Sequence, residues 1–88
     1  MSNISNDSQK YRIKSVASTT GLSAHVIRKW EERYHLVHPQ RASNGYRLFT
    51  EDDIQFLLYL KSQLDHGESI GQLAQAGEDE IRQSMNHV

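Results

Sequence analysis

The chain has 88 residues, no cysteine, one proline and a formal net charge of −1. That length allows one small domain, the absence of thiols excludes a disulfide framework or a Cys-ligated zinc, and the apolar runs are far too short to cross a membrane. No basic-then-apolar leader opens the sequence, so a cytoplasmic soluble protein is expected.

The charge is unevenly spread. Residues 11–50 carry seven Lys/Arg (Arg12, Lys14, Arg28, Lys29, Arg33, Arg41, Arg47) against Glu31 and Glu32, a net of +5, whereas residues 51–88 carry two bases against eight acids, a net of −6. A basic half beside an acidic half suits a partner rich in phosphates that meets one face only.

In chain order, residues 1–10 are polar with one aliphatic side chain and should form a disordered lead-in. Tyr11-Arg12-Ile13 is expected to be briefly extended. Ile13, Val16 and Ala17 then follow i, i+3, i+4 spacing, which predicts a first helix over about 14–20. Gly21 supplies the positive φ that a tight turn needs, and Ser23 is placed to cap a second helix running from Ala24 to about Tyr34. Ala17 is small enough for a helix crossing, and Ile27 falls where the second helix must bury an aliphatic residue. The spacing of Ala17, Gly21 and Ile27 fits a helix-turn-helix whose second helix lies in the major groove of DNA. Trp30 reads as part of the core, while Ala24, His25, Arg28 and Lys29 are left facing outward.

Pro39 breaks the helix, so 35–40 should be loop. Asn44-Gly45 predicts a type I′ hairpin over roughly 41–49, a small wing with Leu48 inward and Arg41, Tyr46 and Arg47 in reach of a DNA backbone. Thr50 is placed to cap a third helix whose first turn, Glu51-Asp52-Asp53, suits the positive end of the helix dipole. That helix should end near His66, with Ile54, Leu57, Leu60 and Leu64 as its inward stripe and Gly67 as its stop. Ser69 and Gln72 match a capping box for a short fourth helix, about 70–76. The domain should therefore span 11–77, leaving 78–88 as a tail that is partly helical at most.

Phe56 and Tyr59 lie off the inward stripe. Two readings stay open. The fourth helix or residues 78–86 fold back over them, or they form an exposed aromatic pair that docks a further part of a longer protein or a second subunit. Five histidines lack the i, i+4 spacing of paired ligands, and no nucleophile triad or phosphate-cradling glycine loop is present. Neither a metal site nor an enzyme is indicated.

The combined motif YRIKSVASTTGLSAHVIRKWEERY, P-x-R and NGYRLFTEDDI resembles the DNA-binding domain of the MerR family from Tyr11 to about Leu73. Trp30-Glu31-Glu32-Arg33-Tyr34 resembles the W-E-x-R-Y subgroup, which includes the CarA, CarH, LitR and MlrA regulators. The resemblance implies a mostly α fold: a winged helix-turn-helix with a small β-hairpin wing and a following helix pair. It also implies that His25, Arg28 and Lys29 meet double-stranded DNA, with Tyr46 and Arg47 on phosphate or in the minor groove and Arg41 on phosphate. Lys29 stands where most members carry an aromatic. In several members of the subgroup a cobalamin domain follows, but these 88 residues hold no such domain, so no cofactor is assigned to this chain. The long dimerising coiled coil of typical members is not seen either, so a homodimer is expected only in a longer parent protein. The expected role is the reading head of a bacterial transcriptional regulator. Two alternatives remain: a protein-interaction module whose basic surface binds an acidic antirepressor, and an excisionase-like architectural DNA binder.

Overall fold

The structure, a computed structural model, describes residues 9–86; the lead-in expected over 1–10 falls mostly outside them. Five helices and one two-stranded hairpin follow in the order α1 (Ile13–Thr20), α2 (Ala24–Glu32), β1 (Gln40–Arg41), β2 (Arg47–Leu48), α3 (Glu51–Asp65), α4 (Ile70–Ala76) and α5 (Glu78–Met85).

Local chemistry sets most of the boundaries. Gly21 adopts φ 81° and its N–H donates to the Ala17 carbonyl at 2.9 Å, closing α1. Within the same turn the buried Thr20 hydroxyl donates to the Val16 carbonyl at 2.8 Å and accepts from Leu22 N–H at 3.2 Å. Ser23 Oγ accepts from Val26 N–H at 3.1 Å and starts α2. Reciprocal capping boxes start α3, between Thr50 and Asp53, and α4, between Ser69 and Gln72. Each satisfies backbone donors that the first turn of a helix leaves free.

The second helix is shorter than the expected run to Tyr34. It ends at Glu32 because the chain turns back: His35 takes φ 55° and Leu36 N–H reaches the Trp30 carbonyl at 3.0 Å. The turn delivers Leu36 and Val37 into the core, both with no exposed surface, although they lie in an irregular segment. The hairpin also differs from the expected type I′ turn. Gly45 alone has positive φ there, at 91°, and its N–H donates to the Ala42 carbonyl at 2.8 Å. With Ala42 N–H donating to the Tyr46 carbonyl at 2.9 Å, this is a three-residue loop closed by a left-handed glycine. Asn44 keeps negative φ and uses its side chain instead, Oδ1 accepting from Tyr46 N–H at 3.3 Å.

Beyond the hairpin, Tyr11 and Phe49 exchange two backbone hydrogen bonds of 2.8 Å, which fastens the entry to α1 onto the exit from β2. Leu48, expected to point inward, is only half-buried; Phe49 is the fully buried neighbour. The Tyr11 hydroxyl faces Glu51 at 3.4 Å, and desolvation followed by that carboxylate raises the phenol above its ordinary pKa.

The core joins Val16, Ile27 and Trp30 from the helix-turn-helix to Ile54, Leu57 and Leu60 of α3, with Phe49 between. Full burial of each large apolar side chain contributes about 1.5–3 kcal/mol. α3 is buried on a second side too. α5, in the segment expected to be partly helical at most, packs Ile81 into the core, and Phe56 has no exposed surface. The Arg82 guanidinium lies 4.2 Å over the Phe56 ring while bonding Glu78 at 2.9 Å and Asp52 at 2.8 Å. Of the two readings open for Phe56 and Tyr59, the exposed aromatic pair is corrected and the fold-back of 78–86 holds for Phe56: Phe56 is core, covered by α5, and Tyr59 is half-buried. No helix among the described residues is long and apolar enough to cross a membrane.

Candidate nucleic-acid interface

α2 has one buried edge, Ile27 and Trp30, and a polar face opposite. His25, Arg28, Lys29, Glu32 and Arg33 line a shallow depression of about 380 Å³ on that face. The spacing i, i+3, i+4, i+7, i+8 puts all five along one side of a 3.6-residue helix. His25 and Lys29 are exposed and Arg28 is half-buried. The three residues expected to meet DNA from this helix are thus neighbours on one surface.

The wing is joined to the same helix by an ion-pair cluster. Arg47 is only 15% exposed; its Nε donates to Glu31 at 2.5 Å and its terminal nitrogen to Glu32 at 2.6 Å. Arg41, on the partner strand and paired with Arg47 in register, reaches the other Glu31 oxygen at 3.4 Å and the Gly45 carbonyl at 3.1 Å. Glu31 therefore sits between two wing arginines. Arg41 remains half exposed and can offer further N–H groups outward. Arg47 is more committed, since both of its neighbours are carboxylates.

Tyr46 is the one large hydrophobic side chain among the described residues that is exposed, at 53%. Its ring carries the Arg12 guanidinium, 4.1 Å from the centroid. Arg12, Glu31 and Glu32 were absent from the expected site. No local pattern flags them, because their partners lie on other elements: Glu31 and Glu32 are 16 and 15 residues from Arg47.

This arrangement can bind an extended polyanion. Guanidinium forks offer paired N–H donors that match phosphate oxygens, and lysine supplies a point charge. Glu32, 63% exposed on the same depression, would repel a phosphate if left alone, and Arg47 neutralises it. Among the described residues no three His, Cys, Asp or Glu side chains gather as a metal site requires.

The family described as MerR HTH family regulatory protein matches residues 11–78. The HTH-type transcriptional repressor CarH of Myxococcus xanthus is 39% identical over 64 residues, covering 73% of this chain and 21% of CarH. The uncharacterized HTH-type transcriptional regulator YyaN of Bacillus subtilis is 40% identical over 60 residues, covering 68% of this chain and 44% of YyaN. The chain thus spans less than half the length of either relative. Among solved structures, HiNmlR, a MerR family regulator lacking the sensor domain and bound to promoter DNA, superposes with a TM-score of 0.66 at 25% identity, covering 89% of this chain and 67% of HiNmlR.

Proposed function

The chain belongs to the MerR HTH family of regulatory proteins, and on that premise we propose that it reads double-stranded DNA with α2 in the major groove and the wing on the backbone or minor groove. The observation that carries the reading is the single polar face of α2, with His25, Arg28 and Lys29 side by side, tied to a basic wing. The promoter-bound state of HiNmlR, a structural neighbour, supports duplex DNA as the ligand. In this reading Arg28 and Lys29 anchor phosphates and reach base edges, and His25 meets a base edge or the backbone. Arg41 and Tyr46 contact the flanking backbone. Arg47 orients the wing and neutralises Glu31 and Glu32 as well as facing phosphate. Phosphate contacts supply affinity and base contacts supply sequence preference.

The role is that of a reading head for transcriptional control, working in pairs when a longer parent protein supplies dimer contacts. Pairing two weak heads on adjacent half-sites multiplies affinity without any new base contact. Selection of bound duplexes from a random pool, followed by binding across a salt series, tests the proposal. A recurrent recovered sequence and a steep salt dependence are expected. Binding to an acidic protein but to no duplex would instead identify a protein-interaction module. Sequence-independent binding with strong bending would identify an architectural DNA binder.

A further inference from the structure

The basic side chains around the wing are not equivalent. Arg41 and Arg47 are held by Glu31, whereas Arg12 pairs with no carboxylate among the described residues. Its guanidinium stacks 4.1 Å over the Tyr46 ring instead. With its cation over the ring and no carboxylate on its nitrogens among the described residues, the guanidinium keeps N–H donors that can grip a phosphate through two parallel hydrogen bonds. Both partners are exposed, so these donors are accessible.

The pair is also fixed in place from behind. Arg12 follows directly on Tyr11, whose two 2.8 Å bonds to Phe49 lock the start of α1 to the end of β2. Tyr46 is fixed by Ala42 N–H at its carbonyl and by Asn44 Oδ1 at its N–H. A long side chain that is already ordered loses less freedom on binding than a free one.

We propose that Arg12, held on Tyr46, forms a phosphodiester-binding corner where the start of α1 meets the wing. The assignment rests on the duplex-DNA reading above. Arg12 supplies the charge and the paired donors, and Tyr46 is the platform that holds them. The corner contributes affinity and register but no sequence preference, since a phosphate is alike at every step.

Binding of the full chain to two duplexes of equal length, one recovered by selection and one of random sequence, tests the corner across a salt series. Arg12→Ala should flatten the log–log salt slope by about one unit on both duplexes and leave the ratio of their affinities unchanged. Arg12→Lys should keep the slope yet bind more weakly than the parent, because the ammonium lacks the planar fork. Tyr46→Leu should weaken the parent and have a smaller effect in the Arg12→Ala background, the sign of a coupled pair. Thermal melting followed by circular dichroism should show each variant folded. If the parent binds DNA and Arg12→Ala matches it in slope and affinity, the Arg12 assignment is overturned by itself. Additive losses would overturn the role of Tyr46 as platform. If the parent binds neither duplex at any salt concentration, the DNA reading and this corner fall together.

Discussion

Arg47 and Arg82 are two arginines set among carboxylates, one at the junction of α2 and the wing and the other at the junction of α3 and α5. Arg47 meets Glu31 and Glu32; Arg82 meets Glu78 and Asp52, with Asp53 at 3.9 Å. The chemistry is the same and the settings differ. Arg82 rests on the ring of Phe56, a fully buried residue, so its stem and guanidinium complete the cover of the core. Arg47 joins two polar surfaces and cancels acidic charge on the face proposed for DNA. An arginine's contribution thus depends on what lies beneath it, an aromatic ring in one region and the polar face of a helix in the other.

The comparison can be broken at its foundations first. Trp30 is 4% exposed and forms the underside of α2. Trp30→Ala should cost about 3–5 kcal/mol of stability, enough to unfold much of a domain this small. A variant that melts like the parent but no longer binds DNA would move Trp30 from the core to the reading surface.

Arg82→Ala comes next. Losing the stack on Phe56 together with partly exposed ion pairs should cost about 1–2 kcal/mol. Amide exchange should rise in α5, while DNA affinity well below the melting temperature should be unchanged. Loss of DNA affinity in the folded variant would show that the two regions are not separable.

Arg47→Ala should differ in its DNA readout. Its stability cost should be about 1–2 kcal/mol, similar to that of Arg82→Ala, because Arg47 and Glu31 are only 15% and 16% exposed and the variant takes away the nearer counter-charge of Glu31. Binding should weaken by more than removal of one phosphate contact, because Glu32 is left uncompensated and Glu31 keeps only its longer contact to Arg41. If Arg47→Ala instead melts far below the parent and the residual folded fraction binds normally, Arg47 belongs with Arg82 as a packing residue.

Arg28→Ala gives the smallest change in stability, within about 0.5 kcal/mol, and flattens the salt slope by about one unit. Equal binding at several salt concentrations would remove Arg28 from the interface.

The features legible in the sequence share a short range. The Gly21 turn, the Ser23 cap, and the Thr50–Asp53 and Ser69–Gln72 boxes close hydrogen bonds between residues two to four positions apart. Such bonds depend on residue type and spacing alone, and spacing is visible in a string of letters. The polar face of α2 belongs with them, since helical periodicity places His25, Arg28 and Lys29 together once the helix is granted.

Tertiary structure decided the rest. Phe56 lies off the main stripe of α3 by period, and only the return of α5 makes it core. Leu36 and Val37 are buried from an irregular segment that carries no periodic signal. Asn44-Gly45 signalled a hairpin correctly, but the three-residue loop came from the register of β1 on β2, Gln40 against Leu48 and Arg41 against Arg47. The choice of partner for Arg47, Arg82 and Arg12 was likewise tertiary. A charge in a sequence has many possible counter-charges or rings, and which one it meets depends on the packing of elements far apart in the chain.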